Sequence, residues 1–317
     1  MNNPKVNVII FHRDDFDGIL SNEITRLYLK EFSKLETISI PYSYGEPTPD
    51  LSEFNIAKLY IVDLAIHDLM THPKLVWIDH HISNIERYKD VQIFGLRIDQ
   101  VAACRLCWQY FFEEPLASIG LHDSHRQGYL QLGETTFSYS NFFNRTLSEP
   151  YLVTLIGEYD VWDKRDPNAE LLNLSLMSQE LSPDLFNLLL SRTENSRWKM
   201  KELLEDGRII RAYNSNVNRN LTQKTAKYVT LAGEIFLSCN SQTFNSSIFD
   251  SFNPDERAIG FLCYAWQGDY WRCSMYYNPN CKRDIDLSRI AQLYQGGGHK
   301  KAAGFIIKDF NSLPFNP

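Results

Sequence analysis

The chain has 317 residues, 44% hydrophobic and 22% charged, with 32 Lys and Arg against 39 Asp and Glu and a formal net charge of -7. That length exceeds one ordinary core and predicts two domains, and the acidic balance excludes a broadly basic nucleic-acid coat. No stretch approaches the roughly eighteen uninterrupted apolar residues of a membrane span, and Met1-Asn2-Asn3-Pro4-Lys5 does not open a secretory signal, so a cytoplasmic protein is expected.

In chain order, Val6–Phe11 is an apolar run that stops at His12-Arg13-Asp14-Asp15-Phe16-Asp17-Gly18. A parallel strand buried on both faces reads this way when its carboxyl end reaches a loop. Ile19–Phe32 then repeats apolar residues at helical spacing, the start of a βαβ unit. A strand is expected over Ile38–Tyr42, in a stretch that holds Pro41, Pro47 and Pro49. Leu59–Val62 runs into Asp63, and Leu75–Ile78 runs into Asp79-His80-His81. A strand over Val91–Ile98 and a helix over Ala102–Phe112 follow. The alternation predicts an α/β fold, doubly wound on a mainly parallel sheet.

Cys104 and Cys107 form a lone C-x-x-C inside that apolar helix, which reads as packing rather than zinc binding. These two, with Cys239, Cys263, Cys273 and Cys281, are expected as reduced thiols. Residues 113–148 read as irregular. Leu152–Tyr159, helix or strand, ends in an acidic turn with Asp160 and Asp163. Residues 183–228 are charged and helix-prone. Strands are expected again over Glu234–Ser238, Ala258–Ala265 and Tyr270–Tyr277, and a helix over Leu287–Tyr294 meets Gly296-Gly297-Gly298-His299.

Three strand ends that each hand His or Asp to a loop would, side by side, line the pocket of a two-metal hydrolase. His12, Asp15 and Asp17 stand at i, i+3 and i+5 and can surround one point; the plain alternative is an acidic helix N-terminus. Gly18 would allow a tight turn into the helix. Asp63 alone could be a cap. Two adjacent His after an Asp are seldom needed for packing, although a surface turn would also accept them. Of Asp160 and Asp163, one is expected as a ligand and the other as an ion-pair partner of Lys164 or Arg165. Three glycines beside His299, Lys300 and Lys301 would offer N–H groups to a phosphate; a flexible hairpin is the alternative.

Five segments together resemble the DHH phosphoesterase superfamily, in the branch with a C-terminal DHH-associated domain. They are FHRDDFDG at 11–18, IVDL at 61–64, IDHH at 78–81, EYDVWD at 158–163 and IAQLYQGGGHKKAAGF at 290–305. They occur in the family's order and span nearly the whole chain. The branch includes nanoRNase and pAp-phosphatase proteins, cyclic-di-AMP phosphodiesterases and RecJ exonucleases.

The resemblance implies a metal-binding catalytic domain over 1–185, a helical connector over 186–228 and a smaller α/β substrate-binding domain over 229–317. It implies two Mn²⁺ ions, with Mg²⁺ the alternative. One would take His12, Asp15 and Asp63, and the other Asp17, Asp63, His80 and Asp160, so that Asp63 bridges. Asp79 would orient an imidazole, His81 would face the substrate phosphate, and Gly296, Gly297, Gly298 and His299 would hold the substrate from the C-terminal domain. The chain departs from the family at Gln295, where a glycine is frequent, and at Cys273–Asn278, which lacks an Arg common in nanoRNases.

The activity so implied is hydrolysis of short oligonucleotides by an activated water. Cyclic dinucleotides and pAp-type substrates are the alternatives within that class, and a catalytically silent nucleotide sensor is the alternative outside it. A homodimer is allowed; membrane or long-duplex DNA binding is not expected.

Overall fold

The computed structural model describes residues 3–112, 148–163, 165–242, 246–250, 255–309 and 311–315. The stretch expected to be irregular falls outside these residues except for Ser148, and Lys164 also lies outside them. The chain divides into two compact units, Met1–Arg208 and Ile209–Pro317.

The first unit is built on β1 (Lys5–His12), β2 (Glu36–Tyr42), β3 (Asn55–Val62), β4 (Leu75–Asp79) and β5 (Phe94–Arg97), ordered β2-β1-β3-β4-β5 and parallel throughout. Successive residues of β1 point to opposite faces, and both faces are covered. Ile9 joins one core with Tyr60, Val62, Val76 and Ile78, while Val8 and Ile10 join another with Leu59, Ile61 and Trp77. This two-sided burial produces the continuous apolar runs in the sequence. Pro41 is tolerated because β2 is an edge strand.

Helix α1 (Phe16–Phe32) and α3 (Ala103–Phe112) pack on the first face with α4 (Tyr151–Asp160), α5 (Asn168–Met177) and α6 (Pro183–Leu190). The short α2 (Ile82–Arg87) follows β4. Strand order reverses at β1, whose neighbours are β2 and β3, so its carboxyl end faces the crevice where open α/β sheets bind ligands.

Gly18 lies inside α1, not in a turn before it. A Cβ there would stand 2.0 Å from the His12 carbonyl oxygen, so glycine is required by close approach of helix to strand. The six cysteines are buried and unpaired.

The charged stretch after α6 is α7 (Glu194–Thr225), which runs through the boundary between the units. The second unit is a six-stranded mixed sheet of β6 (Lys227–Leu231), β7 (Glu234–Asn240), β8 (Gly260–Trp266), β9 (Trp271–Tyr277), β10 (Gly297–His299) and β11 (Ala302–Ile307). Its order is β10-β11-β9-β8-β7-β6; β7 and β8 pair parallel and the other neighbours antiparallel. Helix α8 (Leu287–Gln292) packs on one face through Leu287, Ile290 and Ala291. Among the described residues, no helix is long and apolar enough to cross a membrane.

Candidate metal centre

The carboxyl ends of β1, β3 and β4 and the end of α4 bring six of the expected ligands together. Asp63 stands at the middle, buried to 1% exposure. Its backbone is left-handed, with φ at 62°, a conformation uncommon outside glycine that aims the side chain inward from the end of β3.

The two Asp63 oxygens meet different partners. Oδ2 lies 3.5 Å from His12 Nδ1, which is 2.9 Å from Asp15 Oδ2. Oδ1 lies 3.2 Å from His80 Nε2, which is 3.4 Å from Asp160 Oδ2 and 3.7 Å from Asp17 Oδ2. The groups His12–Asp15–Asp63 and Asp17–His80–Asp160 each converge closely enough to hold a cation.

Hydrogen bonds do not satisfy this cluster. Both Asp63 oxygens, Asp160 Oδ2 and His12 Nδ1 are buried without a hydrogen-bond partner. The His12–Asp15 approach is short, but it lacks hydrogen-bond alignment. Buried polar atoms are normally paired, so lone pairs left aimed at common points fit cations. Carboxylates and imidazoles without thiolate suit hard or borderline divalent ions.

Without cations the site is electrostatically frustrated. Burial, then the Asp17 charge, pushes the Asp63 carboxyl well up, and the same two causes raise Asp160. The Asp15 carboxylate, then that of Asp63, close beside its ring, holds the His12 imidazole up at about 10. Burial pushes His80 down, and the charges of Asp17, Asp160, Asp79 and Asp15 more than reverse it.

Two acidic side chains also do structural work. Asp15 caps α1, its Oδ1 accepting from Gly18 N–H at 2.9 Å. The plain reading of an acidic helix start is thus correct for one of its oxygens. Asp17 accepts from Ala103 N–H and Cys104 N–H, both at 2.7 Å, and so holds the start of α3. That contact spans 86 and 87 residues of chain, and no local pattern announces it.

Asp79 is fully buried and does not join either group. Its Oδ1 accepts from His80 N–H at 2.7 Å, from His81 N–H at 3.1 Å and from His81 Nδ1 at 2.7 Å. Asn84 Nδ2 donates to the other oxygen at 2.9 Å. Burial pushes the Asp79 carboxyl up, but the His81 bond and charge reverse it, so the group stays ionised. An ionised Asp79 accepts, which puts a proton on His81 Nδ1 and leaves Nε2 for other contacts. Asn84 was not singled out by the sequence reading.

Asp163 is separated from Asp160 by its partner. Arg165 Nε contacts Asp163 Oδ2, while Asp160 faces His80.

In the second unit, the glycine run is an antiparallel hairpin at the sheet edge, with Gly297 opposite Gly304 and His299 opposite Ala302. A Cβ on Gly296 would meet Gly304 O at 2.1 Å, and Gly296 N–H already donates to Ala291 O at 2.9 Å. Gly298 has φ at 134°. Gly297 differs: a Cβ there would have nothing within 4 Å. The hairpin therefore accounts for two of the glycines and leaves Gly297 without a packing reason. Gln295 adopts φ of 60°, where the resembling family frequently has glycine.

A scan against family models returned no match. Among curated proteins, an uncharacterized protein of Acanthamoeba polyphaga mimivirus is 23% identical over 343 residues, covering 99% of this chain and 70% of that protein. Among solved structures, the DHH domain of a member of the s1p family of ribosomal proteins superposes with a TM-score of 0.52 at 14% identity, covering 95% of this chain and 82% of that one. This chain has the fold of a DHH domain. A pGpG-specific phosphodiesterase from Vibrio cholerae (TM-score 0.43, 12% identity, 96% and 94% covered) and an exopolyphosphatase-related protein from Bacteroides fragilis (0.42, 11%, 98% and 88%) were also found. That fold comprises the parallel sheet and the second mixed sheet described above.

Proposed function

We propose that this chain is a metal-dependent phosphoesterase that hydrolyses short oligonucleotides, with two Mn²⁺ ions as its cofactors. The observation that carries the reading is Asp63, whose two unpartnered oxygens face separate donor groups. His12, Asp15 and Asp63 would hold one ion; Asp17, Asp63, His80 and Asp160 would hold the other. When bound, two divalent ions lower the pKa of a water and offset charge on phosphoryl oxygens.

The side chains supply position and protons. Burial pushes the His81 imidazole down, and the bond to Asp79 and the charge of that carboxylate more than reverse it. With Nδ1–H given to Asp79, Nε2 is the ring atom left to face a phosphoryl oxygen, and in the imidazolium form it would donate there, a contact that strengthens as charge develops. Asp160 serves the ligand role and Asp163 the ion pair. We assign substrate contact also to Gly297 and His299, because glycine at 297 permits backbone approach where packing does not ask for it. Residues 229–317 would then act as the substrate-binding domain, and residues 186–228 as the connector.

The test is a product assay with Mn²⁺ across dinucleotides, 5-mers, 24-mers, cyclic dinucleotides and pAp. Cleavage of dinucleotides and 5-mers well ahead of 24-mers supports the reading. Preference for a cyclic dinucleotide or for pAp would replace the substrate and keep the chemistry. No turnover of any phosphoester with any divalent ion would contradict it.

A further inference from the structure

After β2 the chain turns through Ser43, Tyr44 and Gly45, whose φ of 93° glycine adopts without strain. Glu46 fastens this turn. Its carboxylate accepts from Arg13 Nη2 at 2.5 Å and from Ser43 N–H at 3.0 Å, and its carbonyl accepts from the Tyr42 hydroxyl at 2.9 Å. Arg13 lies in the loop between His12, the last residue of β1, and Asp15, so the turn is tied to the candidate metal centre.

Tyr44 is then fixed from its other end. Asn84 Nδ2 donates to the Tyr44 hydroxyl at 3.0 Å, and the same amide nitrogen donates to Asp79. The ring lies 5.6 Å from the His12 ring, inclined at 58°, and 6.4 Å from the His81 ring, inclined at 79°. Neither imidazole lies parallel to it. Tyr44 is 51% exposed, whereas Asp17, Asp63 and Asp79 are at most 1% exposed.

An aromatic residue held at its hydroxyl, half exposed, and placed beside the imidazole assigned to the phosphate belongs to neither buried core of this unit. A tether for the loop would not need to be open, and Asp79 has its hydrogen bonds from His81 and Asn84 without the phenol. A ring already held in place loses little freedom when a flat partner arrives.

We infer that Tyr44 is a stacking platform for a nucleobase adjoining the phosphate at His81. The substrate class is thereby narrowed to nucleotides and excludes inorganic polyphosphate. This rests on the phosphoesterase reading for the place of the phosphate.

The experiment is calorimetric titration of the Mn²⁺-loaded full chain with adenosine 5′-monophosphate and with ribose 5-phosphate, which lacks the base. Tyr44→Ala is expected to weaken the first by roughly five- to a hundred-fold, the range for one base on one aromatic ring, and to change the second by less than about twofold. Tyr44→Phe, which keeps the ring and drops the hydroxyl, is expected to recover most of the lost affinity.

Equal weakening of both ligands by Tyr44→Ala, or no weakening of either, would overturn the platform. So would a Phe variant as poor as the Ala variant, which would make the hydroxyl chain to Asp79 the active part. Loss of bound metal in Tyr44→Ala would instead make the ring part of the metal centre, and would also overturn it. Failure of the phosphoesterase reading is separately visible: the wild type would turn over no phosphoester while still binding the monophosphate through the ring.

Discussion

At the residue scale, Asp63 joins a left-handed backbone to a buried carboxylate without hydrogen bonds. Asn adopts the left-handed region more readily than most residues, so Asp63→Asn removes charge with little backbone penalty. Relief of a buried, unpaired charge should raise the stability of the metal-free protein by about 1–3 kcal/mol. The same change should abolish the stabilisation that Mn²⁺ gives the wild type. Melting curves in EDTA and in Mn²⁺ check both statements, and a lower metal-free midpoint in the variant would make the carboxylate structural. His12, Asp15, Asp17, Asp63 and His80 were legible in the sequence because each stands where an apolar run stops. Asp160 and Asp163 looked alike there, and Arg165 separates them only in three dimensions. Asn84 and Tyr44 end no apolar run, and their roles depend on a contact spanning 40 residues.

At the element scale, strands buried on both faces were the most legible, because β1, β4 and the Leu59–Val62 part of β3 have no polar alternation to confuse; the start of β3, with Asn55 and Lys58 exposed, was not expected. Strand β6 (KYVTL) was missed: it is short, largely exposed and follows directly on α7. Strand β11 (AAGFII) was missed because its small residues follow a glycine-rich turn. The hairpin offers an internal control. Gly296→Ala pushes a methyl group into the Gly304 carbonyl and should cost about 1–3 kcal/mol, whereas Gly297→Ala meets open space and should leave the melting midpoint unchanged. If Gly297 serves backbone approach, its Ala variant should also raise KM. Equal destabilisation by the two substitutions would show that the edge hairpin is packed differently.

At the scale of the whole molecule, a strand order that reverses at β1 gathers donors from residues 12 to 160 at the carboxyl ends of one sheet's strands. The resulting charge makes stability depend on pH in a defined direction. Folded His12 holds its proton up to about 10 against an ordinary value of 6.5, so its contribution is complete below 6.5 and is lost as pH rises toward 10. Asp63 and Asp160, raised from 3.8, lose stability in the same direction, beginning above 3.8. Asp79, which is lowered, contributes above 3.8 and is lost only in acid. Metal-free protein should therefore lose stability steadily from about pH 4 to 10, while Mn²⁺ binding should release protons and stabilise more as pH rises. Calorimetric metal titrations in two buffers of different ionisation enthalpy read the proton release. No release at pH 7 would contradict the ligand set.

The central claim is that Asp63 joins two cation sites, and metal stoichiometry tests it most directly. Elemental analysis of Mn²⁺-equilibrated, desalted protein should find two ions per chain in the wild type. Asp63→Asn should fall below one, lower than Asp15→Asn or Asp160→Asn, each of which removes a ligand from one site only. One ion in the wild type, or two retained by Asp63→Asn, would contradict the bridge and with it the two-metal centre.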